Sequence, residues 1–199
     1  MKAVFFDFDG VLTTDKTGSL TTLRYLSAQT GVEIERFRTA FKQYNPDLNL
    51  GRVTHDDIWG DLCADLGVEM DQSLLLGAFE STPMNTEMLA LARQLKETYA
   101  VGIITDNKKD RIDYLKQHLG LEALFDPIVV SAEVGSDKTG TAIFERAHGH
   151  LGVAASDCIF IDNSMDNLLA PSGLGMRTIY FDDEVNDVLA LRRLLVQEL

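Results

Sequence analysis

The sequence has few cysteines and few histidines, and both shortages exclude classes of protein. Cys63 and Cys158 lie far apart and match neither a disulfide framework nor a metal-binding motif. We therefore expect two buried, reduced thiols and a cytoplasmic location. No two histidines lie at a zinc-ligand spacing that implicates a predicted strand end, so we expect all four on the surface: His55, His118, His148 and His150.

Basic residues are also scarce relative to acidic ones. The chain has 18 Lys and Arg residues against 31 Asp and Glu residues, which gives a formal net charge of −13. Nucleic-acid binding depends on basic patches, so we expect no nucleic-acid partner. The negative charge also repels small phosphorylated ligands at long range. A phosphate site in this chain therefore needs a local source of positive charge, namely a metal ion, a lysine or backbone N–H groups.

Long hydrophobic runs are missing as well, and no membrane partner is expected. The opening apolar stretch, residues 3–6, is too short for a signal peptide or a membrane span. Hydrophobic residues nevertheless make up 45% of the 199 residues, which is enough for a sizeable core. The length fits one domain, or one domain with an insertion.

Apolar strands alternate with helical segments over most of the chain. We expect strands at residues 2–8, 100–105, 127–131, 158–162 and 177–181. Helices are expected at 84–98, 108–118, 141–151, 164–173 and 184–198. This alternation predicts an α/β fold with parallel βαβ units in a doubly wound, Rossmann-like sheet.

Between residues 16 and 82 the pattern changes to helical periodicity throughout. We expect about four helices and no strand in this stretch. The clearest helix has Thr54 as its N-cap, Asp57 three residues later and Gly67 at its end. The predicted organisation is a Rossmann-like core made of residues 1–15 and 83–199, with an all-helical segment, 16–82, inserted after the first strand.

Two carboxylates lie at the end of the first predicted strand, in Asp7-Phe8-Asp9-Gly10. Residues two apart in an extended segment point the same way, so Asp7 and Asp9 can face one pocket while Phe8 faces the core. Gly10 permits a sharp turn there. Such a pair can combine nucleophilic attack by one member with proton transfer by the other. The alternative is a strand end with two solvated acids.

Polar residues follow other predicted strands too: Thr105 the second, Lys138 the third, and Asp162 with Asp166 the fourth. Ligands bind at this carboxyl edge of parallel sheets. Two unit charges about 4 Å apart interact by roughly 4 kcal/mol at an effective dielectric of 20, so clustered carboxylates need a cation. Oxygen-only ligands point to Mg²⁺. The Thr105 hydroxyl and Lys138 can bind a phosphoryl group.

In this order, the four segments resemble the four motifs of the haloacid dehalogenase superfamily, and residues 16–82 resemble its C1-type helical cap. The resemblance implies a Mg²⁺-dependent phosphatase that acts on a small phosphorylated metabolite through an aspartyl-phosphate intermediate. It implies that Asp7 is the nucleophile. Asp9 would protonate the leaving oxygen and then activate water. The dehalogenase branch lacks this second acid, so Asp9 favours phosphoryl transfer over carbon–halogen hydrolysis.

The resemblance also implies binding roles. Thr105 and Lys138 would hold the phosphoryl oxygens, and Asn107 would supply an amide. Asp7, the main-chain carbonyl of Asp9 and Asp162 would ligate Mg²⁺, with Asp166 as a further acid.

Three positions depart from the usual motifs. Asn163 stands where many relatives have a second acid, which leaves open whether Asp166 or Asn163 supports the metal. Asp106 stands where asparagine is common, and we expect it to point away from the phosphate, toward Lys138. Thr139 replaces the usual proline after the lysine.

The helical segment gives weaker indications of substrate. Residues 49–54, followed by Trp59, resemble relatives that hydrolyse small sugar phosphates, although helical spacing favours a core position for Trp59. Arg24, Tyr25 and Arg52 are within possible reach of a substrate. Two other functions fit the same architecture: a phosphomutase, and a regulatory or scaffold protein without activity.

Overall fold

The computed structural model describes residues 2–198 and contains a parallel five-stranded sheet. The order of the strands in the sheet is β3-β2-β1-β4-β5, and every neighbouring pair is parallel. This confirms the predicted α/β class. The strands are β1 (Ala3–Phe6), β2 (Ala100–Thr105), β3 (Ile128–Val130), β4 (Cys158–Asp162) and β5 (Arg177–Tyr180). Because β1 lies between β2 and β4, the carboxyl ends of these three strands meet at one place.

Helices cover both faces of the sheet and form the segment after β1. The first five precede the crossover helix that leads to β2: α1 (Gly18–Thr30), α2 (Ile34–Lys42), α3 (Asn45–Asn49), α4 (His55–Leu66) and α5 (Leu74–Glu80). We call residues 16–82 the helical insertion; it has five helices where about four were expected. The others are α6 (Thr86–Lys96), α7 (Lys109–Leu119), α8 (Ser131–Val134), α9 (Ala142–His150), α10 (Leu169–Gly173) and α11 (Val188–Glu198).

Local chemistry explains where several elements begin and end. Thr54 and Asp57 form the predicted capping box at the start of α4, and Gly67 ends that helix in the left-handed conformation. α11 begins four residues later than expected. The Asp182 side chain accepts hydrogen bonds from the main-chain N–H groups of residues 184 and 185, which forms a turn in place of the first helical turn.

Strand β1 is buried on both faces, as expected for a central parallel strand. Val4 and Phe6 belong to the larger core cluster, which continues into the helical insertion. Ala3 and Phe5 belong to a second cluster on the other face. Trp59 lies in the larger cluster, as expected, and its indole N–H donates to the Met70 carbonyl at 2.9 Å.

The two connections between the sheet and the helical insertion lie side by side. Thr13 and Met84 form an antiparallel bridge. Beside it, the Thr14 N–H donates to the Pro83 carbonyl, and the Asn85 N–H to the Leu12 carbonyl, each at 2.9 Å. The two segments that connect the insertion to the core are therefore hydrogen-bonded to each other. We call these two segments, at Thr13 and Met84, the paired hinge.

Two sequence-based expectations concern features away from the sheet edge. Both thiols, Cys63 and Cys158, are free and buried, as predicted. Within residues 2–198, none of the helices has the length and apolarity needed to cross a bilayer.

Candidate active site

A buried lysine lies between two aspartates at the carboxyl edge of the sheet. Lys138 Nζ is 2.8 Å from Asp7 Oδ2 and 2.7 Å from Asp162 Oδ2. Asp7 directly follows β1, Asp162 is the last residue of β4, and Lys138 lies in the loop after α8. All three side chains are buried. Lys138 therefore places a buried cation at this edge of the sheet, and its charge is matched by the two carboxylates.

Burial and mutual contact shift the ionisation of this group. Burial raises the pKa of Asp7 to about 8, against the opposing effect of the Lys138 ammonium. Burial lowers the pKa of Lys138, but Asp7 and Asp162 outweigh that effect and the net shift is upward. Lys138 therefore stays protonated at neutral pH, and added positive charge beside Asp7 favours its ionised form.

Asp9 is held by residues of the segment that follows β2. Arg111 Nη1 donates to Asp9 Oδ2 at 2.8 Å, and Nη2 donates to Oδ1 at 2.9 Å. Asn107 Nδ2 donates to Oδ2 at 2.7 Å. Arg111 is only 1% exposed. The sequence reasoning missed this arginine, although its place beside Ile112 and one turn from Leu115 puts it on the buried face of α7.

Two glycines make room for this arrangement. A Cβ on Gly18 would lie 2.2 Å from Arg111 Nη1, so only glycine lets the guanidinium reach Asp9 past the start of α1. Gly10 has φ +79°, and a Cβ there would lie 2.1 Å from Asn163 Nδ2. The turn that was expected at Gly10 therefore also serves the close approach of Asn163.

The predicted phosphate-binding residues come together at the end of β2. Thr105 is buried, and its hydroxyl is 3.3 Å from Asn107 Nδ2. Asp106 points toward Lys138, as expected, and its carboxylate accepts from the Lys138 main-chain N–H at 3.0 Å. Burial raises the pKa of Asp106 to about 6. This aspartate therefore positions the lysine loop.

Asp166 does not reach the site. The expected helix 164–173 is present only in its second half, as α10, and a 3₁₀ turn, Asp166–Leu168, precedes it; Asp166 is exposed. Asn167 faces Asp162 instead, and its Nδ2 donates at 3.2 Å. The Ser164 N–H donates to the same carboxylate at 2.7 Å. Asn163 lines the cavity in front of Asp7, so the structure favours the asparagines over Asp166 as neighbours of Asp162.

A cavity of about 450 Å³ lies over these residues, between the sheet edge and the helical insertion. Its lining consists of charged and polar side chains and one glycine. The sheet side provides Asp7, Asp9, Thr105, Asp106, Asn107, Lys108, Lys138, Asn163, Ser164 and Asn167, and the insertion provides Lys16, Thr17, Gly18, Ser19 and Asn49.

Other side chains singled out in the sequence lie elsewhere. His55 is buried, contrary to expectation, and its Nδ1 lies 2.6 Å from Asp110 Oδ2 between α4 and α7. Arg24 pairs with Asp15, and Arg52 pairs with Asp47. Together with Tyr25, these two arginines are absent from the cavity lining.

The donor set fits Mg²⁺ better than a transition metal. Within residues 2–198, no three His, Cys, Asp or Glu side chains are grouped closely enough to hold a metal by themselves. Mg²⁺ usually takes only one or two carboxylates and keeps water or phosphate oxygens as its other ligands. The carboxylates of Asp7 and Asp162 beside a polar cavity match that requirement.

Comparison with known proteins identifies the family of this chain and several relatives. The family model for haloacid dehalogenase-like hydrolases matches residues 1–175. The sesquiterpene phosphatase astK of Aspergillus oryzae is 26% identical over 205 residues, which cover 98% of this chain and 96% of that protein.

Solved structures share the fold. The haloacid dehalogenase family enzyme BT-2542 of Bacteroides thetaiotaomicron aligns with a TM-score of 0.78 at 20% identity, over 96% of this chain and 98% of that one. Its complex with magnesium and inorganic phosphate aligns with a TM-score of 0.71 at 20% identity, over 90% of this chain and 93% of that one. With the family match over most of its length, this chain belongs to the haloacid dehalogenase-like hydrolases.

Proposed function

We propose that this hydrolase is a Mg²⁺-dependent phosphoric monoester hydrolase that forms an aspartyl-phosphate on Asp7. The observation that carries the proposal is the Lys138 ammonium between Asp7 and Asp162, at 2.8 and 2.7 Å. A carboxylate, a fixed cation and a second acid in one polar cavity are the groups that phosphoryl transfer through a covalent intermediate needs.

In the first step, an oxygen of Asp7 attacks phosphorus, and the bond from phosphorus to the ester oxygen breaks. The leaving oxygen takes a proton from Asp9. Lys138 and the polar groups of Thr105 and Asn107 stabilise the charge on the phosphoryl oxygens. In the second step, Asp9 takes a proton from a water molecule that attacks phosphorus, and phosphate leaves with Asp7 restored.

The proposed metal site uses the carboxylates of Asp7 and Asp162 and the main-chain carbonyl of Asp9. When bound, Mg²⁺ supplies positive charge that neutralises the phosphoryl oxygens. Asn163 and Asn167, and not Asp166, neighbour this site in our proposal.

The paired hinge at Thr13 and Met84 suggests how substrate enters. We propose that the helical insertion is a cap that opens for entry and closes to exclude bulk water from the phosphorylated aspartate. The cap side of the cavity is formed by residues 16–19 and Asn49.

We propose a small, polar phosphate ester as the substrate. The astK relative is named for a sesquiterpene substrate. Here every side chain that lines the cavity, apart from that of Gly18, carries a polar or charged group, which favours a polar ester.

The test is phosphate release from a panel of esters, with Mg²⁺ and with excess chelator. We expect release from small polar esters that depends on Mg²⁺ and is lost in Asp7→Asn. Full activity in chelator would contradict the metal requirement. A phosphomutase would instead move the phosphoryl group to a second substrate position, and a scaffold protein would release no phosphate.

A further inference from the structure

Lys108 is a buried cation that the reaction described above does not use. Its side chain is 9% exposed and lines the cavity beside the start of α1. The ammonium has one hydrogen bond in the described part of the chain, from Nζ to Ser19 Oγ at 3.0 Å. A buried charge with only a neutral partner is costly unless something else offsets it.

The acids around Lys108 already have other partners. Arg111 takes both oxygens of Asp9, and Asp110 accepts from His55. Asp106 accepts from the main chain of Lys138. Within residues 2–198, Lys108 Nζ forms no salt bridge with a carboxylate, although Asp9, Asp110 and Asp106 are close enough to favour its charged form. Its positive charge at the cavity is therefore only partly balanced.

A second lysine, Lys16, lines the same cavity from the insertion. Its side chain is largely exposed, and among residues 2–198 its one salt bridge is a long contact to Asp183 at 3.8 Å. Lys138 is already committed to Asp7 and Asp162. The cavity therefore has one group of positive charge at the site of phosphoryl transfer and another toward the insertion.

We propose that Lys108, assisted by Lys16, binds a second anionic group of the substrate, so that the preferred esters carry a carboxylate or a second phosphate beside the phosphoryl group that is removed. This inference rests on the proposed phosphatase activity and names the substrate class for the same site. The cavity volume of about 450 Å³ is sufficient for a small metabolite that carries two anionic groups.

The experiment compares esters that differ only in the second group. Phosphoglycolate carries a carboxylate, 2-hydroxyethyl phosphate carries a hydroxyl, and ethylene glycol bisphosphate carries a second phosphate. We expect the wild type to favour both esters that carry a second anionic group over the hydroxyl ester in kcat/KM. Of these two, the better substrate shows which anion the subsite accepts.

Lys108→Met should lower this preference by about tenfold to a hundredfold, the range for loss of a hydrogen bond to a charged group, mainly through KM. Lys108→Arg should restore much of it, because the charge is kept. Lys42→Met, which removes an exposed lysine on α2 away from the cavity, is the matched control and should keep the wild-type preference.

A binding measurement separates the subsite from the reaction. Calorimetric titration of Asp7→Asn with phosphoglycolate and 2-hydroxyethyl phosphate should show the same preference without turnover. Preferential binding with no hydrolysis by the wild type would retain the subsite and overturn the phosphatase proposal. Hydrolysis with equal kcat/KM for the three esters, or an unchanged preference in Lys108→Met, would overturn the subsite and retain the phosphatase.

Discussion

Arg111 binds both carboxylate oxygens of Asp9, at 2.8 and 2.9 Å, across 102 positions of sequence. With Asn107 added, Asp9 accepts three hydrogen bonds. This arrangement orients the proposed acid–base group, and it also occupies both of its oxygens. In the proposed mechanism, Asp9 must therefore exchange at least one partner before it can give a proton to a leaving group, and Arg111 is a positioning residue for it.

Arg111→Met should lower both activity and stability. Removal of one partner of a buried ion pair costs about 3–5 kcal/mol in the free energy of unfolding, because the other charge is left buried. Urea unfolding measures that loss. Arg111→Lys keeps the charge but lacks the two-pronged geometry. If Arg111 orients Asp9, the lysine variant should stay folded, yet its kcat should fall more for alkyl phosphates than for nitrophenyl phosphate. An equal fall for both would contradict this role.

Gly18→Ala tests the same contact without removal of a polar group. The added Cβ would meet Arg111 Nη1 at 2.2 Å, so the guanidinium must move away from Asp9. We expect kcat to fall at least about tenfold, as misplaced catalytic groups commonly do. Gly149→Ala in α9, where a Cβ meets nothing within 4 Å, is the matched control and should be fully active. Equal kcat in Gly18→Ala and Gly149→Ala would show that the close approach of Arg111 to Gly18 is not needed for activity.

Asp106→Asn should stabilise the protein in a pH-dependent way. The pKa of Asp106 is about 6 when folded, above its usual 3.8, because of burial. The wild type therefore loses stability as pH rises from about 4 through 6, since ionisation is harder in the folded state. The amide of the variant does not ionise, and it keeps an oxygen that can accept from the Lys138 N–H.

Urea midpoints at pH 5 and pH 7.5 measure this effect. The advantage of Asp106→Asn over the wild type should be larger at pH 7.5. Asp61→Asn, at an exposed position of α4, should show no such increase. If the difference in urea midpoint between Asp106→Asn and the wild type were the same at both pH values, burial of Asp106 would not make stability depend on pH.

The preference for esters with a second anionic group should also depend on pH. Burial and the nearby Arg111 lower the pKa of Lys108 to about 8. Above that pH the ammonium loses its proton, and the ratio of kcat/KM for phosphoglycolate over 2-hydroxyethyl phosphate should fall. The ratio cancels the titration of groups that both esters share. A ratio that stays constant from pH 7 to pH 9.5 would be evidence against Lys108 as the group that binds the second anion.

The sequence predicted β1 to β4 well because each is a short, mostly apolar run that ends in a polar residue or is followed by one. Ala100–Thr105 and Cys158–Asp162 match the expected bounds. It also predicted that Asp7, Lys138 and Asp162 gather, because parallel strands end at one edge.

Features that depend on tertiary packing were not predicted. The position of Asp166 was inferred from regular helical spacing, but a 3₁₀ turn rotates it outward. His55 is polar, and its burial is stabilised by a hydrogen bond with Asp110, which lies far away in the sequence. The Arg111–Asp9 pair joins residues with no local relationship in the sequence, so no spacing rule indicates it.

The central claim is that Asp7 becomes phosphorylated. Asp9→Asn should be phosphorylated by nitrophenyl phosphate, which needs little protonation of its leaving group, and should hydrolyse the product slowly because the base is missing. Acid quenching followed by peptide mass spectrometry should then find one phosphoryl group on Asp7, and none when Asp7 is replaced by Asn. A phosphoryl group on another residue, or turnover retained in Asp7→Asn, would contradict the account.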